Sequence, residues 1–215
     1  MNPLKIAVAL LTLFFAVGCA TTQSITDAQR KSVRSVTVAN NVPIPEYPEV
    51  VGPSVNKAGF WLGPIGMIAT MKNENADSVK LKKYMNEQKI DIREIVRQEF
   101  LANLTATKAF PAILAEGGEA TFDLAVENYG FAPGFSMRPI NKPVRPTLRL
   151  VAKLSTSDGK VLWQSAAYIT GVSGEFESIQ LEDYYSTAGR IREAFTKAAQ
   201  IVVKELLNDL SGKTQ

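Results

Sequence analysis

Histidine is absent from the 215 residues and cysteine occurs once, at Cys19. Those two facts exclude Ser-His-Asp triads, Cys-His nucleophilic pairs and Cys/His metal cages, and a single thiol closes no intrachain disulfide. No G-x-x-x-x-G-K or G-x-G-x-x-G run is present to cradle a phosphate chain. Charge is nearly balanced as well: 24 Lys+Arg against 21 Asp+Glu leave a formal +3, so nucleic acid is not an expected partner. The longest apolar run, Ile6–Val17, has twelve residues interrupted only by Thr12, shorter than the roughly 20 that span a bilayer as a helix. Internal repeats and low-complexity tracts are missing too. What remains is 46% apolar and 21% charged, the balance of one compact domain. No cofactor is implied, and no reaction can be read.

The amino terminus carries an address. Lys5 precedes the apolar run, small Gly18 follows it, and the chain turns polar at Thr21-Thr22-Gln23-Ser24, the layout of a secretory signal peptide over residues 1–18. Ala16-Val17-Gly18-Cys19 resembles the lipobox of bacterial lipoproteins, with Ala16 where that family most often has Leu. The resemblance implies cleavage before Cys19, a diacylated thiol and an acylated amino group, so that Cys19 anchors the chain. Ala20, in place of an inner-membrane-retaining Asp, implies delivery to the outer membrane, with the body facing the periplasm. Two or more acyl chains hold where one is marginal, at about 0.8 kcal/mol per buried CH₂.

Residues 19–31 read as the lipidated Cys and a polar, helix-poor tether, and 32–212 as a single periplasmic domain. Arg30, Lys31 and Arg34 lie near the anchor; they suit anionic lipid, or simply a solvated strand start. Ser32–Ala39, with Val33, Val36 and Val38, predicts a first strand. A Pro/Gly-rich apolar insertion follows at about 42–77. Its Pro43, Pro45, Pro48 and Pro53 bar regular ladders and predict an extended surface run. Within it Gly59–Ala69 is strongly apolar, and three readings stand open: core, membrane contact, or a docking patch anchored by Phe60, Trp61 and Met67.

Helical spacing places Ile92, Ile95, Val96, Phe100 and Leu104 on one stripe after a capping-box-like Asp91-Ile92-Arg93-Glu94, with a charged lead over Ser78–Lys89. A second stripe, Ile191, Phe195, Ala198, Val202 and Leu206, belongs to a helix near Ser186–Leu210. Between them Phe122, Leu124 and Val126 alternate with polar residues. Leu148–Ser155 and Val161–Thr170 form a hairpin about the Ser157–Lys160 turn, with Trp163 facing inward. The expected fold is α+β: a small mixed or antiparallel sheet packed against two main helices.

The Val-rich strand after a lipobox, the helix closing on Ala109-Phe110, the strand opening Thr121-Phe122-Asp123-Leu124, and Asp158-Gly159-Lys160-Val161-Leu162-Trp163 before a long Ala-rich helix resemble periplasmic lipoproteins of the TolB amino-terminal-like group. The curli-secretion lipoprotein and accessory lipoproteins of envelope transport systems have similar cores. Pore formation is not implied, because a barrel hairpin needs two strands of about 9–11 alternating residues and Gly59–Ala69 supplies at most one irregular segment.

Catalytic candidates are thin. Ser-x-x-Lys occurs at Ser54–Lys57 and Ser157–Lys160 without its companion motifs or a helix start. Asp123 and Glu127 share a strand side, which is more simply a solvated face. Arg138, Lys142, Arg145, Arg149 and Lys153 form an acid-free basic stretch. It suits anionic headgroups, cell-wall polymer or an acidic partner, or else is a strand's solvent face with its preceding loop. The expected function is a non-catalytic, lipid-anchored accessory or assembly component of an envelope complex for transport or secretion, partnered by an envelope protein or by further copies of itself. The alternative is a lipoprotein that binds lipid or cell-wall ligands.

Overall fold

The computed structural model describes residues 22–50, 76–107, 113–134 and 143–212. In chain order these form α1 (Asp27–Ser32), β1 (Ser35–Val38), β2 (Glu49–Val50), α2 (Ala76–Glu87), α3 (Ile92–Thr107), β3 (Ile113–Leu114), β4 (Ala120–Pro133), β5 (Val144–Thr156), β6 (Val161–Ile169), α4 (Leu181–Tyr184) and α5 (Ala188–Leu210). Together they make a small α+β domain, a mixed sheet packed against several helices. The six-stranded sheet runs β3-β1-β4-β5-β6, with β2 also on β4. β4, β5 and β6 form an antiparallel meander, whereas β1 and β2 pair with β4 in parallel, one after the other along the same edge.

Both helical stripes cover one face of this sheet. Ile92, Val96 and Phe100 of α3 and Ile191, Phe195, Ala198, Val202 and Leu206 of α5 are buried. Phe100 meets the Phe122 ring edge-on at 5.3 Å, and Phe122 meets Trp163 at 6.2 Å. Trp163 is fully buried and donates its Nε1–H to Asp209 Oδ2 of α5 at 2.9 Å, so its one polar atom is satisfied within the core.

Three segments depart from the sequence expectations. The described part of the tether, 22–31, folds onto the body instead of hanging free. Gln23 exchanges both backbone hydrogen bonds with Gln164 of β6, Ile25 is buried, and Thr26 with Gln29 makes a complete capping box that starts α1. This helix uses Ser32, so β1 begins later than the expected Ser32, at Ser35. Arg30 donates to the carbonyls of Leu210 and Ser211, capping the C-terminus of α5.

The proline-rich stretch, expected to run over the surface, is instead built into the sheet as far as it is described: Val42 and Val50 are buried, and β2 pairs with β4. Proline lacks an N–H but keeps its acceptor, and the Pro43 carbonyl accepts from Val126 N–H at 2.9 Å. Lastly, β4 is far longer than its alternation suggested. A bulge between Val126 and Asn128 sets the register after it one residue on. Burial shifts from Phe122, Leu124 and Val126 to Tyr129 and Phe131, because an extra residue reverses which face each later side chain takes.

Candidate functional site

Among the sequence-derived site residues, Cys19, the docking trio Phe60, Trp61 and Met67, and the cations Arg138 and Lys142 lie outside the described residues, as do Ser54–Lys57 and the signal segment 1–18. The other three cations of the basic stretch sit on β5, and each is already engaged. Arg149 Nε lies 2.7 Å from Glu127 Oε2, and Lys153 Nζ lies 3.4 Å from Asp123 Oδ2. Arg145 donates to the Ser173 carbonyl at 2.9 Å. The two carboxylates on one strand side, Asp123 and Glu127, therefore face two cations across the β4/β5 ladder. Such half-exposed pairs contribute up to about 1 kcal/mol each and leave no net charge to attract an anion.

Ser157–Lys160 is a turn, as expected. Asp158 accepts from Thr156 Oγ1, and that bond, followed by the Lys160 backbone N–H, holds its carboxyl below the usual range. The bonds serve the hairpin, and no serine nucleophile is activated there. No group of His, Cys, Asp and Glu among the described residues is arranged to hold a metal ion.

On the sheet face opposite α3 and α5, cross-strand register puts Ala125, Val151 and Ala166 in one row. The Asp123–Lys153 pair continues to Gln164 on one side of it, and the Glu127–Arg149 pair continues to Tyr168 on the other. The charges are thus matched internally and a narrow apolar row runs between them. Tyr168 is 61% exposed and Val172, just past the strand, 53%.

β6 is also the outer strand of the sheet. Gln164 turns its N–H and C=O outward to Gln23, so Ala166 and Tyr168, two and four residues on, turn theirs the same way. Among the described residues these outward groups have no ladder partner. Among the described residues, the amino-terminal segment covers the first part of this edge through the Gln23–Gln164 bridge.

One residue with chemical potential escaped the sequence reading. Alternation followed from Phe122 puts Tyr129 on the wet face, yet the bulge turns it inward, where it is 4% exposed. Burial raises its hydroxyl pKa to about 12, with Arg93 opposing and Asp91 adding to the shift.

No family model and no curated protein matches the chain. Among solved structures, a Xanthomonas campestris protein assigned to the family DUF330 aligns at 10% identity over 90% of this chain and 94% of that one, with a TM-score of 0.46. The PelC dodecamer from Paraburkholderia phytofirmans aligns at 11% identity over 91% and 94%, with a TM-score of 0.39. At these values no residue of either protein maps onto a role here.

Proposed function

We propose that the chain is a lipid-anchored periplasmic component of an envelope transport or secretion complex, non-catalytic, held on the outer membrane by acylated Cys19. The lipobox-like Ala16–Cys19 and the resemblance to TolB amino-terminal-like lipoproteins support the address. The observation that carries the reading is the Gln23–Gln164 bridge. Gln23 lies only four positions after Cys19, a reach of about 14 Å when fully extended. An anchor that close holds the β6 edge, with Tyr168 and Val172, at the level of the headgroups. The charge-matched sheet face, which ends at that edge, is the surface we propose for neighbours in the envelope.

In this reading the face works by shape and apolar contact, because its ion pairs are already satisfied. Phe60, Trp61 and Met67 are proposed as a second docking element of the same component. Ligand binding is the second reading, and the groove described in the next subsection favours it.

The test is site-specific photocrosslinking in intact cells, with the reactive side chain at Ala166 or Tyr168 and, as control, at exposed Glu193 on α5. Discrete envelope-protein adducts from the first two positions alone support the proposal. Absence of adducts from all three, or equal adducts from Glu193, contradicts it.

A further inference from the structure

A half-open groove of about 500 Å³ lies where α2 hands over to α3. Ile44, Pro45, Met85, Ile90 and Ile92 give it an apolar floor, and its polar lining comes from four elements: Glu46 before β2, Lys82 and Asn86 of α2, Lys89 to Glu94 across the junction, and Tyr129 of β4. Formal charge there is balanced, with Glu46, Asp91 and Glu94 against Lys82, Lys89 and Arg93. What matters is which of these groups is already used.

All three acids have work to do. Glu46 Oε1 is 3.4 Å from Lys82 Nζ, whose ammonium also lies over the Tyr47 ring at 4.1 Å. Asp91 Oδ1 accepts from Arg93 N–H at 2.9 Å as the cap of α3, and Glu94 Oε1 accepts from Gln98. Among the described residues no side-chain partner engages Lys89, Arg93, Asn86 or the Tyr129 hydroxyl. The unspent groups are therefore two cations, an amide and a phenol, donors in the main. Tyr129 decides the matter: its ring is buried, it lines the groove, and among the described residues its hydroxyl has no hydrogen-bond partner. The ring is sealed in the core while the hydroxyl opens onto the groove, where it can donate to whatever occupies it.

Lys89 points the same way. It occupies the left-handed position, φ +52°, that closes α2, with Ile90 N–H reaching back to the Met85 carbonyl. Glycine is the favoured residue at such a helix end, and any side chain there is held at a cost. The side chain this one holds at the groove is a cation.

We propose that this groove is a binding site for a phosphate ester, with Lys89, Arg93, Asn86 and the Tyr129 hydroxyl on its oxygens and the apolar floor under its organic part. Four donors from three elements suit a tetrahedral oxyanion better than a planar carboxylate. The site needs neither lipidation nor a protein partner, so it stands or falls apart from the envelope-complex proposal.

The experiment is calorimetric titration of the full chain in dodecyl maltoside with glycerol 3-phosphate and with inorganic phosphate, at fixed ionic strength. In parallel, nanodiscs of phosphatidylglycerol and of phosphatidylcholine are tested for binding. Saturable one-site binding of glycerol 3-phosphate is expected. Tyr129→Phe should weaken it about tenfold while leaving the thermal midpoint unchanged or higher, since the hydroxyl has no partner among the described residues. Lys89→Gly should raise the midpoint and weaken binding, which separates a ligand-directed residue from a structural one. Binding of phosphatidylglycerol discs alone, with the same variant sensitivities, identifies the ester as a lipid headgroup; binding of the soluble ester identifies a free one. No saturable binding to any probe, or wild-type affinity in Tyr129→Phe and Arg93→Gln, overturns the proposal.

Discussion

Trp163 and Tyr129 show how far a single residue can be read from its neighbours. Trp163 heads a run in which every second residue, Trp163, Ser165, Ala167 and Ile169, is buried, so its burial follows from period two. Its hydrogen bond to Asp209, 46 residues away, does not, because no local pattern names a partner on another element. Replacing Trp163 with Ala should cost about 3–5 kcal/mol in urea unfolding; a loss under about 1 kcal/mol would mean the ring is not the core packing element it occupies here. Tyr129 was illegible because the bulge at Glu127 leaves no trace in the alternation before it. Its titration is nonetheless measurable. Burial raises the hydroxyls of Tyr129, Tyr184 and Tyr185 to about 12, against about 10 in the unfolded chain. The unfolded state therefore gives up these protons first as the pH rises. Stability from these groups should be intact below pH 10 and decline between about 10 and 12. Ultraviolet phenolate absorbance should show a class of tyrosines that ionises only at the upper end of that range. Complete ionisation near 10 in the folded protein would contradict the burial of these three side chains.

At the level of elements, the two helical stripes and the hairpin were legible since each is amphipathic over enough residues to show its own period. The short pieces were not. α1 is six residues and β2 and β3 two each, too brief for any periodicity; tertiary contacts make them, namely Arg30 on the α5 carbonyls, Pro43 on Val126 and Val50 beside Phe131. Proline in 43–48 read as a barrier because the missing donor was weighed and the remaining acceptor was not. The candidate site suffered likewise. Its basic stretch looked uncompensated along the chain, whereas the acids that match Arg149 and Lys153 sit on a neighbouring strand. The parallel contact of β2 with β4 depends on Gly130, where an added Cβ would fall on the Glu49 carbonyl oxygen. Gly130→Ala should therefore destabilise by about 3 kcal/mol or more, seen as a lower urea midpoint. An unchanged midpoint would show that β2 does not belong to the sheet.

For the whole molecule, the amino-terminal segment is bound to the body from Gln23 onward. Its described part docks at the β6 edge at Gln23 and continues through α1 to the end of α5. An anchor at Cys19 would therefore keep the β6 edge within about 14 Å of the bilayer, and the surfaces proposed for partners lie beside that edge. Everything in this proposal depends on Cys19 carrying lipid. Growth of producing cells with an alkyne fatty acid, followed by coupling to a fluorophore and mass spectrometry of the amino-terminal peptide, measures it directly. The expected result is label on the wild-type protein at a peptide beginning with Cys19, with none on Cys19→Ala. Equal labelling of the two proteins, or an unmodified Cys19 in the membrane fraction, would contradict lipid anchoring and with it the envelope role built upon it.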